Sequence, residues 1–101
     1  RAGETMSREV IWLPDAVKDV MRLRQFIHDK NPSAAQRAAS RIKEGVMMLV
    51  TNPELGRPVD GLVAFREVVV PFGAGNYVLR YREDGDKIAV VRVWHSKEER
   101  I

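Results

Sequence analysis

The chain contains no cysteine. That excludes a disulfide framework and any thiolate metal site. Its two histidines, His28 and His95, do not stand at metal-ligand spacing, so no metal site is expected. No apolar run approaches the ~20 residues that a membrane-crossing helix requires, and no signal-peptide pattern is seen. The expectation is a soluble cytoplasmic protein with no membrane partner. Gly73-Ala74-Gly75 lacks the phosphate-loop and dinucleotide patterns and reads as a turn. Met21, Met47 and Met48 read as helix-face or core filler, so no cofactor is expected. There is no repeat, linker or low-complexity stretch.

What is present fits one small domain of 101 residues with a formal charge of +3, which does not by itself establish nucleic-acid binding. Met6 is read as the native start. That makes Arg1 to Thr5 an appended remnant or disordered tail, and residues 6–101 the domain.

Arg8 to Leu13 is rich in β-branched and aromatic residues and predicts a first strand. Pro14 then suits a first helical turn. Ala16, Val20, Leu23 and Ile27 recur at helical spacing, with Asp19, Arg22 and Asp29 largely off that stripe. Asn31-Pro32 ends this helix and starts the next, with Asn31 as N-cap. The second helix spans about Pro32 to Val50, with Ala35, Ala38, Ile42, Val46 and Leu49 as its apolar stripe. The short link predicts an antiparallel helical hairpin. Asn52-Pro53, Gly56, Pro58 and Asp60-Gly61 mark a loop.

Three strands follow: Phe65 to Val70, Tyr77 to Arg82 and Lys87 to His95. The predicted fold is α+β, in the order β-α-α-β-β-β. The N-terminal helical hairpin packs on one face of a small, mostly antiparallel sheet. A three-residue Glu83-Asp84-Gly85 loop is favoured for the last hairpin. Its parity sets Leu79 beside Val91 and Val93 on the apolar face. Arg80, Arg82, Arg92 and Trp94 then share the other face. Burying unpaired arginines against the core would be costly, which argues for this parity.

The order of elements is joined by particular segments: Asn31-Pro32-Ser33-Ala34-Ala35, Asn52-Pro53-Glu54-Leu55-Gly56, Phe65-Arg66-Glu67, Tyr77 to Tyr81 and Val91 to His95. Together they resemble the ParE/RelE superfamily of bacterial type II toxin-antitoxin toxins, specifically its ParE branch. The resemblance covers nearly all of Val10 to Arg100. It implies one of two growth-inhibiting activities. ParE-like members are associated with poisoning DNA gyrase and blocking replication, without a recognised hydrolytic site, and with plasmid stabilisation. RelE-like members are ribosome-dependent messenger RNA endoribonucleases. Either kind implies a cognate antitoxin, ParD-like on the ParE reading, docked on exposed apolar surface such as the hairpin or a sheet edge. A toxin homodimer and a toxin-antitoxin heterotetramer both fit such a surface.

Metal-free RNA cleavage needs a base, phosphate charge stabilisation and an acid. The residues that would serve are Arg66, Arg80, His95 and Lys97. Val68 and Val78 stand where the nuclease pattern has basic side chains, and no tyrosine follows His95. The set is therefore incomplete, and no catalytic residues are assigned on the leading reading. Surface chemistry selects Arg66, Arg80, Arg82, Arg92, Trp94, His95, Lys97 and Arg100 as target- or antitoxin-binding, since Trp and Arg are enriched at interface hot spots.

Overall fold

The computed structural model describes residues 8–28 and 31–98. Arg100, and the tail Arg1 to Thr5, lie outside the described residues. Strand β1 (Glu9–Trp12) leads into helix α1 (Pro14–His28), then α2 (Pro32–Thr51), β2 (Arg57–Val59), β3 (Leu62–Phe72), β4 (Gly75–Asp84) and β5 (Lys87–His95). Pro14 opens α1 as expected. Asn31 caps α2, its side chain accepting from the Ala34 N–H at 3.2 Å.

The described strands form one five-stranded sheet in the order β1-β5-β4-β3-β2. β1 runs parallel to β5, and the other pairs are antiparallel. The short edge strand β2 is additional to the expected order. It pairs with β3 through a turn at Asp60-Gly61. Pro58 is tolerated there because an edge strand need not donate a ladder hydrogen bond at every residue.

The last hairpin corrects the expected loop. Asp84 pairs with Lys87, so the turn is the two-residue Gly85-Asp86, with Gly85 at φ 63°. A left-handed first turn position matches the natural twist of a hairpin. The register then slips once. Tyr81 faces Val90 and Arg80 faces Arg92, leaving Val91 as a bulge. The shorter turn and the bulge cancel in parity. Beyond the bulge, Leu79 lies opposite Val93 and Arg80 opposite Arg92, as the longer loop would give. Before it, Val90 and Ile88 turn toward the core, and Ala89 joins the arginine face.

The helices bury Ala16, Leu23, Ala38, Ile42 and Val46 against Val70, Tyr77, Leu79, Val90 and Val93. A smaller cluster of Leu49, Tyr81 and Ile88 continues the core toward the end of α2. Among the described residues, no helix packs on the opposite face of the sheet. Among the described residues no helix is long and apolar enough to cross a membrane, and no group of side chains could hold a metal ion.

Candidate functional site

The four basic residues of the nuclease set do not converge. Arg66 pairs with Tyr81 across the ladder and His95 with Tyr77. Both therefore point to the helix side, but four residues apart along β4, or about 13 Å at ~3.3 Å per residue. Arg66 is used locally. It donates to the Gly56 carbonyl at 2.7 Å and the Glu54 carbonyl at 3.4 Å, holding the loop after α2. Tyr81 holds the same loop, accepting from the Gly56 N–H and donating to the Pro53 carbonyl. Arg80 lies on the other face of the sheet.

That other face gathers Arg80, Arg82, Arg92 and Trp94, each guanidinium already engaged. Arg80 donates to Glu67 at 2.6 and 2.8 Å and lies 5.2 Å from the centre of the Trp94 ring. Trp94 is buried. Arg82 lies 5.8 Å from the Phe65 ring, with Asp84 at 3.8 Å. Stacking a guanidinium on an aromatic ring fixes it flat while its outer N–H groups remain available. The face is thus a ladder of arginine–aromatic pairs with much of its charge neutralised.

Arg92 bends toward the sheet edge. Its Nε and Nη2 donate to Asp19 of α1 at 2.7 and 3.1 Å. Asp19 is 2% exposed and also accepts from the Val93 N–H and from Arg22. The reason lies in strand length. β1 pairs with β5 only as far as Val90, so among the described residues the rest of that β5 edge has no strand partner. α1 runs beside it, and Asp19 stands in for the missing strand. Burial pushes the Asp19 carboxyl up. The bonds from Arg92, Val93 and Arg22 outweigh it and hold the group below its ordinary 3.8.

Arg22 continues the chain of charge to Glu98, at 2.9 and 3.1 Å, and Glu98 also accepts from the His95 N–H. This ties the segment after β5 back onto α1. Between them opens a cleft of about 540 Å³, lined by Leu23, Phe26, Ile27, Phe72 and Tyr77, with His95 and Lys97 at its border. His95 packs edge-on against Tyr77 at 5.0 Å. Its Nδ1 accepts from the Lys97 N–H, which leaves Nε2 to carry the proton of the neutral ring.

The sequence indicated the arginines, Trp94 and the His95–Lys97 end. It did not indicate Asp19, Glu67, Tyr77 or Glu98 as their organisers. Glu67 sits one residue after a selected arginine, yet its partner is Arg80 on the neighbouring strand.

A family profile described as the ParE toxin of type II toxin-antitoxin system, parDE, matches residues 10–100. Toxin RelE3 of Caulobacter vibrioides is 38% identical over 87 residues, covering 86% of this chain and 92% of that protein. Toxin RelE1 of the same organism is 35% identical, covering 84% and 89%. Among solved structures, the chromosomal ParDE toxin-antitoxin system of P. aeruginosa superposes with a TM-score of 0.75 at 22% identity, covering 91% of this chain and 98% of that one. The RelBE2 toxin-antitoxin complex of Mycobacterium tuberculosis gives a TM-score of 0.59 at 22% identity, covering 88% and 98%. At that identity the structures establish the fold alone.

Proposed function

This chain belongs to the ParE toxin family of type II toxin-antitoxin systems, and from that premise we propose that it is a non-enzymatic inhibitor of DNA gyrase, neutralised by a cognate ParD-like antitoxin. The observation that carries the reading is the dispersal of the nuclease residues. Arg66 is spent on the loop after α2, Arg80 is clamped by Glu67 on the opposite face, and His95 and Lys97 stand at the far end. General acid–base cleavage requires such groups within hydrogen-bond reach of one phosphodiester. A binding poison requires a surface instead. The ladder of Arg80 on Trp94 and Arg82 on Phe65, with Arg92 beside it, offers the rigid aromatic and guanidinium groups on which protein interfaces concentrate their energy. We assign that face to the target.

The test is a supercoiling assay with purified toxin and gyrase. Inhibition is expected, with His95→Ala as potent as the wild type and Arg82→Glu weaker by tenfold or more. Unaltered supercoiling at high toxin excess would reject gyrase as the target.

The second reading, a ribosome-dependent endoribonuclease, draws on the relatives named as RelE toxins. It predicts codon-phased message cleavage in expressing cells, lost in His95→Ala. In cells the two separate cleanly: gyrase poisoning raises a DNA-damage response, and message cleavage arrests translation.

A further inference from the structure

We propose that the cleft between α1 and the β3–β4 turn is the anchoring pocket for the antitoxin. It takes one large apolar side chain of the bound segment, whose backbone carbonyl accepts from the Tyr77 hydroxyl and whose neighbouring acidic residue pairs with Lys97. The inference rests on the reading of this chain as an antitoxin-neutralised toxin and adds where and by what chemistry the two engage.

Three observations meet at this place. First, the cleft holds about 540 Å³ between Leu23, Phe26, Ile27 and Phe72, the scale and apolar character of a pocket that receives a bulky group. Phe26 is 61% exposed, a cost in the free toxin that an inserted side chain would relieve.

Second, Tyr77 is fully buried at this site, yet among the described residues its hydroxyl has no hydrogen-bond partner. Buried polar groups are nearly always satisfied, and an orphan one is costly. Burial, assisted by the Glu98 carboxylate, pushes this phenol up to about 12. It is therefore a neutral donor throughout the physiological range, suited to a carbonyl acceptor.

Third, the border charge is unbalanced in one direction. Among the described residues Glu98 is the carboxylate that lines the cleft, and its oxygens are occupied by Arg22 and the His95 N–H. Lys97 is exposed and has no ion pair among the described residues. An acidic partner complements it, and complementary charge at a rim governs specificity and association rate. An apolar anchor flanked by an acid is thus what the pocket fits.

The experiment uses the full chain and the small protein encoded beside it, with affinity measured by calorimetry. Lys97→Glu and Ala74→Trp, which narrows the mouth, are each expected to weaken the complex at least tenfold. Tyr77→Phe is expected to weaken it three- to tenfold while raising the melting temperature of the free toxin, because it deletes an unsatisfied donor. A purely structural Tyr77 would not move the two readouts in opposite directions. If Ala74→Trp does not fold, Phe26→Ser replaces it at an exposed position.

A wild-type complex whose affinity stays within twofold in all of these variants overturns the pocket and leaves the antitoxin reading standing. No complex with wild-type toxin removes that reading itself, and the pocket with it. Variants that turn a wild-type dimer into monomers, with antitoxin affinity unchanged, assign the cleft to a second copy of this chain and overturn the proposal.

Discussion

Asp19→Ala is expected to destabilise the fold by about 3 kcal/mol, read as a fall of roughly 15 °C in thermal midpoint for a domain of this size. Asp19 is buried and accepts from Val93 N–H at 2.8 Å, from Arg92 at 2.7 and 3.1 Å and from Arg22 at 2.6 Å. Removing it orphans a buried backbone donor and leaves two guanidinium groups without their shared acceptor. The arginine side chains are 45% and 46% exposed, so both can turn to water. That keeps the loss at the lower end of the range for a broken buried pair. Asp19→Asn retains an acceptor for Val93 and should cost about half as much.

The same carboxylate sets a pH dependence. Its folded value lies below the ordinary 3.8. Its contribution is therefore fully present above the unfolded value and lost as pH falls through the folded one. Glu98 acts in the same sense. Burial raises it, the Arg22 and His95 bonds outweigh that, and it sits below its ordinary 4.5. Urea melts at pH 7, 5 and 3 should show stability nearly flat to pH 5 and falling below it. The fall should be shallower in Asp19→Asn. An equal acid sensitivity in that variant would show that Asp19 is not the group responsible.

These two carboxylates also mark where sequence reading stops. The hairpin was legible because Ala16, Leu23, Ala38, Ile42 and Val46 repeat at helical spacing, and because Asn31-Pro32 carries both a stop and a start signal. Asp19 fell largely off that stripe, and no role was read for it. It is buried for a tertiary reason, since a strand of nine residues is paired with one of four. The first strand was not paired with the last from sequence, so the mismatch was not foreseen. Pro14 closes the first strand early, while the last runs on to His95, so unpaired edge groups had to find a partner on the following helix. Which residue would supply it depends on how α1 lies along β5, and periodicity does not carry that.

The arginine face was predicted by an argument that was right in its energetics and wrong in its local geometry. Keeping Arg80, Arg82 and Arg92 off the core was the correct constraint. The chain meets it through a two-residue turn and a bulge at Val91, where a single longer loop was expected. Bulges leave little mark in a run such as Ile88-Ala89-Val90-Val91, in which every side chain is apolar. The edge strand β2 was missed for a related reason. Pro58 and the neighbouring glycines read as loop, yet proline is compatible with an outer strand.

Gly45→Val is the second large effect, and it tests the contact that sets α2 on the sheet. Gly45 is buried midway along α2, where glycine is otherwise a poor helix residue. A Cβ there would stand 2.6 Å from Val70 Cγ2 and 3.2 Å from Leu79 Cδ1. Val70 is β-branched and stiff about its first torsion, so it cannot swing clear, and the helix must move off the strands instead. The expected loss is about 3 kcal/mol, as for other overpacked cores. Val70→Ala alone leaves a hole and should cost about 2 kcal/mol. Together the two substitutions return nearly the same volume to the same place, and volume-conserving exchanges are tolerated best. The double variant is therefore expected to lose only about 2 kcal/mol, far less than the two singles combined. That strong coupling is the signature of direct contact. A double variant as unstable as the sum would mean that α2 is held away from β3 by something other than the missing side chain of Gly45.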